Sequence, residues 1–116
     1  MGLLGKLGLG GRRGVLRTAD SGDEAYLRAW VAAHEGVEAF VEPRTTVTET
    51  TMLLVDKHGA WTRRRISGPA GARKLARSVK IPVYDVQLVG YPKRMRDHDA
   101  RQRALREQER RRNLGR

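Results

Sequence analysis

The chain predicts an α+β fold: a small antiparallel sheet with two helices on one face, in the order α-β-β-β-α-β, flanked by basic flexible or helical termini. Two segments place side chains at helical spacing, Leu27, Trp30, Val31 and His34 in the first, Ala72, Leu75, Ala76 and Val79 in the second. Between and after them lie alternating or β-branched runs ended by Gly and Pro. At 116 residues there is room for one domain. Stacking both helices on one sheet face is the simplest way to bury two amphipathic stripes.

The first helix is predicted over 22–35. Ser21-Gly-Asp-Glu24 fits a capping box, in which the Ser side chain takes the amide three residues on and the Glu returns to the cap amide. Gly36 is a natural stop. Val37–Glu42 alternates through Val37, Ala39 and Val41 and ends at Pro43, as a strand does. Thr45–Asp56 is dense in β-branched residues and free of Gly and Pro. Its threonines (Thr45, Thr46, Thr48, Thr50, Thr51) read as one solvated strand face. Met52–Val55, apolar at every position, reads as a stretch covered on both faces. Lys57-His58-Gly59 supplies a turn, and Ala60–Ile66 returns as the partner strand.

Ser67-Gly-Pro69 opens the second helix, with Pro at a first-turn position that has no intrahelical bond to lose. Arg73, Lys74, Arg77 and Lys80 form its polar face, and Pro82 halts it. Val83–Val89 reads as the last strand. Asp85 sits among apolar neighbours there, and a salt bridge to an Arg of the hairpin is its expected role. The chain thus divides into a Gly/Arg-rich flexible arm (1–19), an α+β core (20–92) and a basic helical or disordered tail (93–116). Leu105 and Leu114 are the only large apolar residues in 97–114, so the tail is expected to bury no face against the core.

Charge is concentrated at the ends. Residues 1–17 carry four Lys/Arg and no acid, and residues 93–116 carry ten Lys/Arg against four acids. Residues 18–92 are nearly balanced, with ten against nine. A near-neutral core with cationic extensions points to a polyanionic partner. Arginine outnumbers lysine nineteen to five; planar guanidinium groups suit phosphate, and a GC-rich coding sequence produces the same bias.

Several classes of chemistry find no support. The absence of cysteine removes disulfides, thiolate metal sites and a thiol nucleophile, and suits a reducing cytoplasm. His34, His58 and His98 have no second ligand at metal spacing. Gly8-Leu-Gly10-Gly-Arg-Arg-Gly14 nominally fits a dinucleotide loop. It lacks the preceding buried strand and following helix that would hold a pyrophosphate, and reads as a flexible arm. No segment approaches the ~18 apolar residues of a membrane span. No catalytic, cofactor-binding or metal-binding residue is therefore assigned.

The basic clusters with aromatics are the candidate site. In Trp61-Thr-Arg-Arg-Arg-Ile66, alternation puts Trp61, Arg63 and Arg65 on one face. If Ile66 points into the core, these three form a stacking and phosphate-binding platform on an open face. If Trp61 points inward, the arginines keep a strand edge soluble. Tyr91-Pro-Lys93-Arg94-Met-Arg96 is a second cluster, in which Tyr91 either stacks on a base or caps the core. Arg12 and Arg13 in the arm, and Arg101, Arg103, Arg110, Arg111 and Arg112 in the tail, complete the candidate phosphate contacts.

Two resemblances accompany these residues. The phrases VEPRTTVTETTMLLV, GAWTRRRI and IPVYDVQLVGYPKRMRD, between Val37 and Asp97, resemble a family of small uncharacterised actinobacterial proteins whose members often carry the label oxidoreductase. That resemblance implies a bacterial cytoplasmic protein. The redox label has no counterpart in the residues, which supply neither a nicotinamide nor a flavin site. The order of the first five elements, with GPAGARKLAR opening the second helix, loosely resembles a double-stranded RNA-binding domain without its loop motifs.

The expected function is a non-enzymatic nucleic-acid-binding accessory protein, with RNA or the ribosome ahead of DNA. The rivals are a protein–protein adaptor that uses the core and, less favoured, a small oxidoreductase.

Overall fold

A helix, α1 (Ser21–Ala33), precedes an antiparallel meander of β1 (Glu38–Glu42), β2 (Thr51–Val55) and β3 (Trp61–Arg65). Helix α2 (Gly68–Ser78) leads to β4 (Val83–Asp85), which is followed by the short α3 (Val86–Val89) and the long α4 (Lys93–Leu114). The computed structural model describes residues 21–115. Arg12, Arg13 and the glycine run lie outside the described residues.

The α+β class holds. The sheet is mixed, in the order β3-β2-β1-β4. Strand β4 runs parallel to β1, pairing Ala39 with Val83 and Val41 with Asp85, where an all-antiparallel sheet is expected. The cause is topological. Helix α2 returns the chain to the end of the sheet at which β3 began, so β4 must run in the same direction as β3 and β1.

Strand alternation builds two cores. Ala39, Val41, Met52 and Leu54 face α1 and α2 and pack with Leu27, Ile66, Ala72, Leu75 and Ala76. Phe40, Leu53 and Val55 face the other way and pack with Met95 of α4, with Trp61 and Val86 against them. Met52, Leu53, Leu54 and Val55 are all fully buried, as the uninterrupted apolar run predicts. Each such side chain contributes roughly 1.5–3 kcal/mol of burial.

Three local expectations change. The strand expected from Thr45 begins at Thr51. Thr45 Oγ1 accepts the amides of Val47 and Thr48, closing a turn in place of a strand ladder, and Thr50, expected on a solvated face, is buried. The strand expected over Val83–Val89 ends at Asp85, whose carboxylate caps α3 by accepting the Gln87 amide at 2.8 Å. Asp85 is thus a cap, without the expected Arg partner. Finally, the tail takes the helical of its two expected forms, but its first turns belong to the core, packing on the sheet through Met95, which is 8% exposed. From residue 100 onward every described residue except Glu107 is exposed.

Candidate nucleic-acid interface

Helix α4 is clamped to the β2–β3 hairpin. Asp56 shapes the hairpin turn, its Oδ1 accepting the amides of His58 and Ala60 at 2.8 and 3.0 Å. Gly59, at φ +92, leaves no side chain on the surface where the α4 backbone passes. Arg94 lies over that turn. It donates to the Asp56 carbonyl at 2.8 Å and the Glu38 carboxylate at 2.6 Å. Further along, the Trp61 indole N–H donates to Asp99 at 2.8 Å, and Arg101 donates to the His58 carbonyl at 3.2 Å.

A second cluster centres on Glu42. Its carboxylate accepts two bonds from Arg63 (2.7 and 2.8 Å), one from the Thr51 hydroxyl (2.7 Å) and one from the Tyr91 hydroxyl (2.5 Å). Burial pushes the Glu42 pKa up and is the largest single influence. The hydrogen bonds from Arg63, Tyr91 and Thr51, with the Arg63 charge, together outweigh it and hold the carboxyl below its ordinary value. The same Glu42 bond, then burial, raises the Tyr91 hydroxyl pKa.

The sign of the pH effect follows. A carboxyl whose pKa is lower folded than unfolded contributes stability above its unfolded value of about 4.3, and loses it as pH falls through the folded value. Thermal melts between pH 7 and pH 3 are therefore expected to fall less steeply for Glu42→Gln than for the natural chain. Parallel curves would show that Glu42 carries no such linkage.

The candidate residues now sort by partner. Ile66 is in the core, so Trp61, Arg63 and Arg65 do share the opposite face, as the first alternative required. Helix α4 covers the Trp61 end of that face, whereas Arg63 is exposed. Trp61 is partly buried and bonded to Asp99; Arg63 is held by Glu42, with its guanidinium carbon 5.2 Å from the Trp61 ring centroid. Arg65 has its Nε buried without a hydrogen-bond partner among the described residues. Arg94 is engaged in the clamp, Arg96 donates to the Tyr91 carbonyl at 2.7 Å, and Lys93 pairs with Asp97 one turn on. Arg110 and Arg111 pair with Glu107 on the exposed surface.

Another set of cations makes no ion pair with an acid among the described residues. It includes Arg103, Arg106 and Arg112 of α4, and Arg73, Lys74, Arg77 and Lys80 on or just beyond α2. All seven are exposed. Arg106 and the four α2 cations were not among the expected contacts. The signal of the four α2 cations in the sequence was an acid-free stretch from Ala60 to Tyr84. Lys80 closes α2 at φ 62, a conformation usually left to Gly; its amide donates to the Arg77 carbonyl, and that of Ile81 to the Ala76 carbonyl. A lysine there costs on the order of 1 kcal/mol against glycine, and it keeps a cation at the end of the basic face.

The chemistry of this arrangement is anion binding at the surface. Among the described residues no three His, Asp or Glu side chains gather into a set that could hold a metal ion. No described helix is long and apolar enough to cross a membrane. The apolar counterpart is small: Leu88 and Val89 of α3 are 84% and 57% exposed beside Tyr84 and Tyr91. In comparisons with known proteins, no family model, no curated protein and no solved structure matches the chain.

Proposed function

We propose that the chain is a non-enzymatic nucleic-acid-binding accessory protein, associated with RNA or the ribosome and held chiefly by phosphate contacts. One observation carries this: acids neutralise the sheet-face cations Arg63 and Arg94, whereas the α2 face and the outer part of α4 hold exposed cations with no acidic partner. Unpaired cations raise the potential of the surface they occupy and attract a polyanion. Base stacking is not the mode supported. Trp61 is committed to Asp99 and Tyr91 to Glu42, and α4 contains no Phe, Tyr or Trp.

The test is recovery of tagged full-length chain from cell extract, with and without nuclease, followed by titration of the recovered RNA across salt. Nuclease-sensitive RNA is expected, with log K falling linearly against log salt by about 0.9 per duplex phosphate neutralised. Flat binding between low and moderate salt would overturn it. The second reading, a protein–protein adaptor, is favoured by exposed Leu88 and Val89. A nuclease-resistant protein partner lost on Leu88→Ser would select it.

A further inference from the structure

The two cationic surfaces differ in shape. On α2 the buried Ala72, Leu75 and Ala76 turn Arg73, Lys74 and Arg77 outward, so its charge faces one side. The outer part of α4 has no buried side. On a helix that turns about 100° per residue, Arg103 and Arg110 fall on one flank, and Arg101 and Arg112 on the flank about 180° away. Arg106 and Arg111 fall between them, which leaves no arc wider than about 120° without an arginine.

This rod is also preformed. An isolated helix of about 12 residues is marginal in water. Here the costly first turns are fixed by Arg94, Met95 and the Trp61–Asp99 bond, and the helix continues outward from them. Pairs of Glu107 with Arg110 and Arg111 support the outer turns. At 22 residues the helix is about 33 Å long, and with side chains it is about 10–12 Å across.

Building on the RNA reading above, we infer that α4 recognises a place where two RNA double helices meet and inserts between their phosphate backbones. A rod charged on opposite flanks gains fully only when phosphate lies on both sides. An isolated A-form duplex does not offer that, because its major groove is too narrow to admit side chains and its outer surface presents one wall. A junction offers two walls. A single strand offers no fixed wall, and α4 has no aromatic side chain on which unpaired bases can stack.

The experiment uses the full-length protein and four probes of equal nucleotide count: a four-way RNA junction, an RNA duplex, an unstructured RNA strand and a B-form DNA duplex. The junction is expected to bind at least about ten-fold tighter than the RNA duplex at physiological salt. Two variants probe the flanks, Arg103→Gln with Arg110→Gln, and Arg112→Gln alone. Each is expected to shrink the junction preference while lowering duplex affinity far less; equal helicity by circular dichroism shows that α4 persists. Equal affinity for junction and duplex, or tightest binding to the single strand, overturns the two-wall inference and leaves the RNA reading standing. Tightest binding to B-form DNA overturns the RNA target, since the roughly 12 Å major groove also encloses a helix between phosphates. Salt-independent binding to all four overturns the reading on which the inference rests.

Discussion

Alanine at Gly59 is expected to undock α4 and to cost on the order of 3 kcal/mol. Two effects add. The residue sits at φ +92, which L side chains rarely adopt. An added Cβ would also lie 2.0 Å from the Arg94 carbonyl oxygen, 2.7 Å from its carbon and 2.8 Å from the His98 Cβ. Two of these are backbone atoms, and Arg94 cannot yield without leaving the Asp56 carbonyl and Glu38. Gly90 supplies the control. It too has positive φ, at 75, but nothing lies within 4 Å of the point a Cβ would occupy there. Gly90→Ala should therefore show backbone strain alone, about 2 kcal/mol, because φ 75 with ψ 178 is a conformation nearly confined to glycine. Urea denaturation of both variants in a Trp30→Phe background, where Trp61 emission alone reports loss of the Asp99 bond, separates the two effects. Equal costs at the two glycines would refute the close-packing account.

Much of the first core was legible in the sequence because its signals are periodic and local. Leu27, Trp30 and Val31 mark one helix stripe and Ala72, Leu75 and Ala76 the other, and all six reach the same cluster. Met52–Val55 announced burial on both faces by having no polar position. What was missed is non-local or sparse. The second core takes one residue, Met95, from a run dense in charge, and one apolar side chain gives no periodicity to detect. The Trp61–Asp99 and Arg94–Asp56 contacts each join residues 38 apart, which no spacing rule anticipates. Val86, Leu88 and Val89 resemble a strand until Asp85 is recognised as a helix cap. The candidate site was legible as composition and illegible as geometry. Arg63, Arg94 and Arg103 look alike in sequence, yet only Arg103 is left without an internal partner.

That distinction sets the largest binding effect expected. Replacing the unpaired Arg103, Arg106 and Arg112 together by glutamine should lower the slope of log K against log salt by about 2.7 for the RNA junction. At physiological salt this corresponds to an affinity loss on the order of a hundred-fold. Glutamine is chosen because its helix propensity is close to that of arginine, so α4 should persist. None of the three gives up an ion pair with an acid among the described residues. Arg63→Gln makes the informative contrast. It removes a formal charge from the sheet face, but that charge is already neutralised by Glu42, so the salt slope should scarcely change. Its cost should appear as stability, because Glu42 is left 12% exposed with two of its hydrogen bonds removed. A triple variant whose slope matches the natural chain would locate the phosphate contacts away from these three arginines. A slope that falls equally in Arg63→Gln, charge for charge, would mean that net charge alone drives binding and that the partition into paired and unpaired cations is irrelevant.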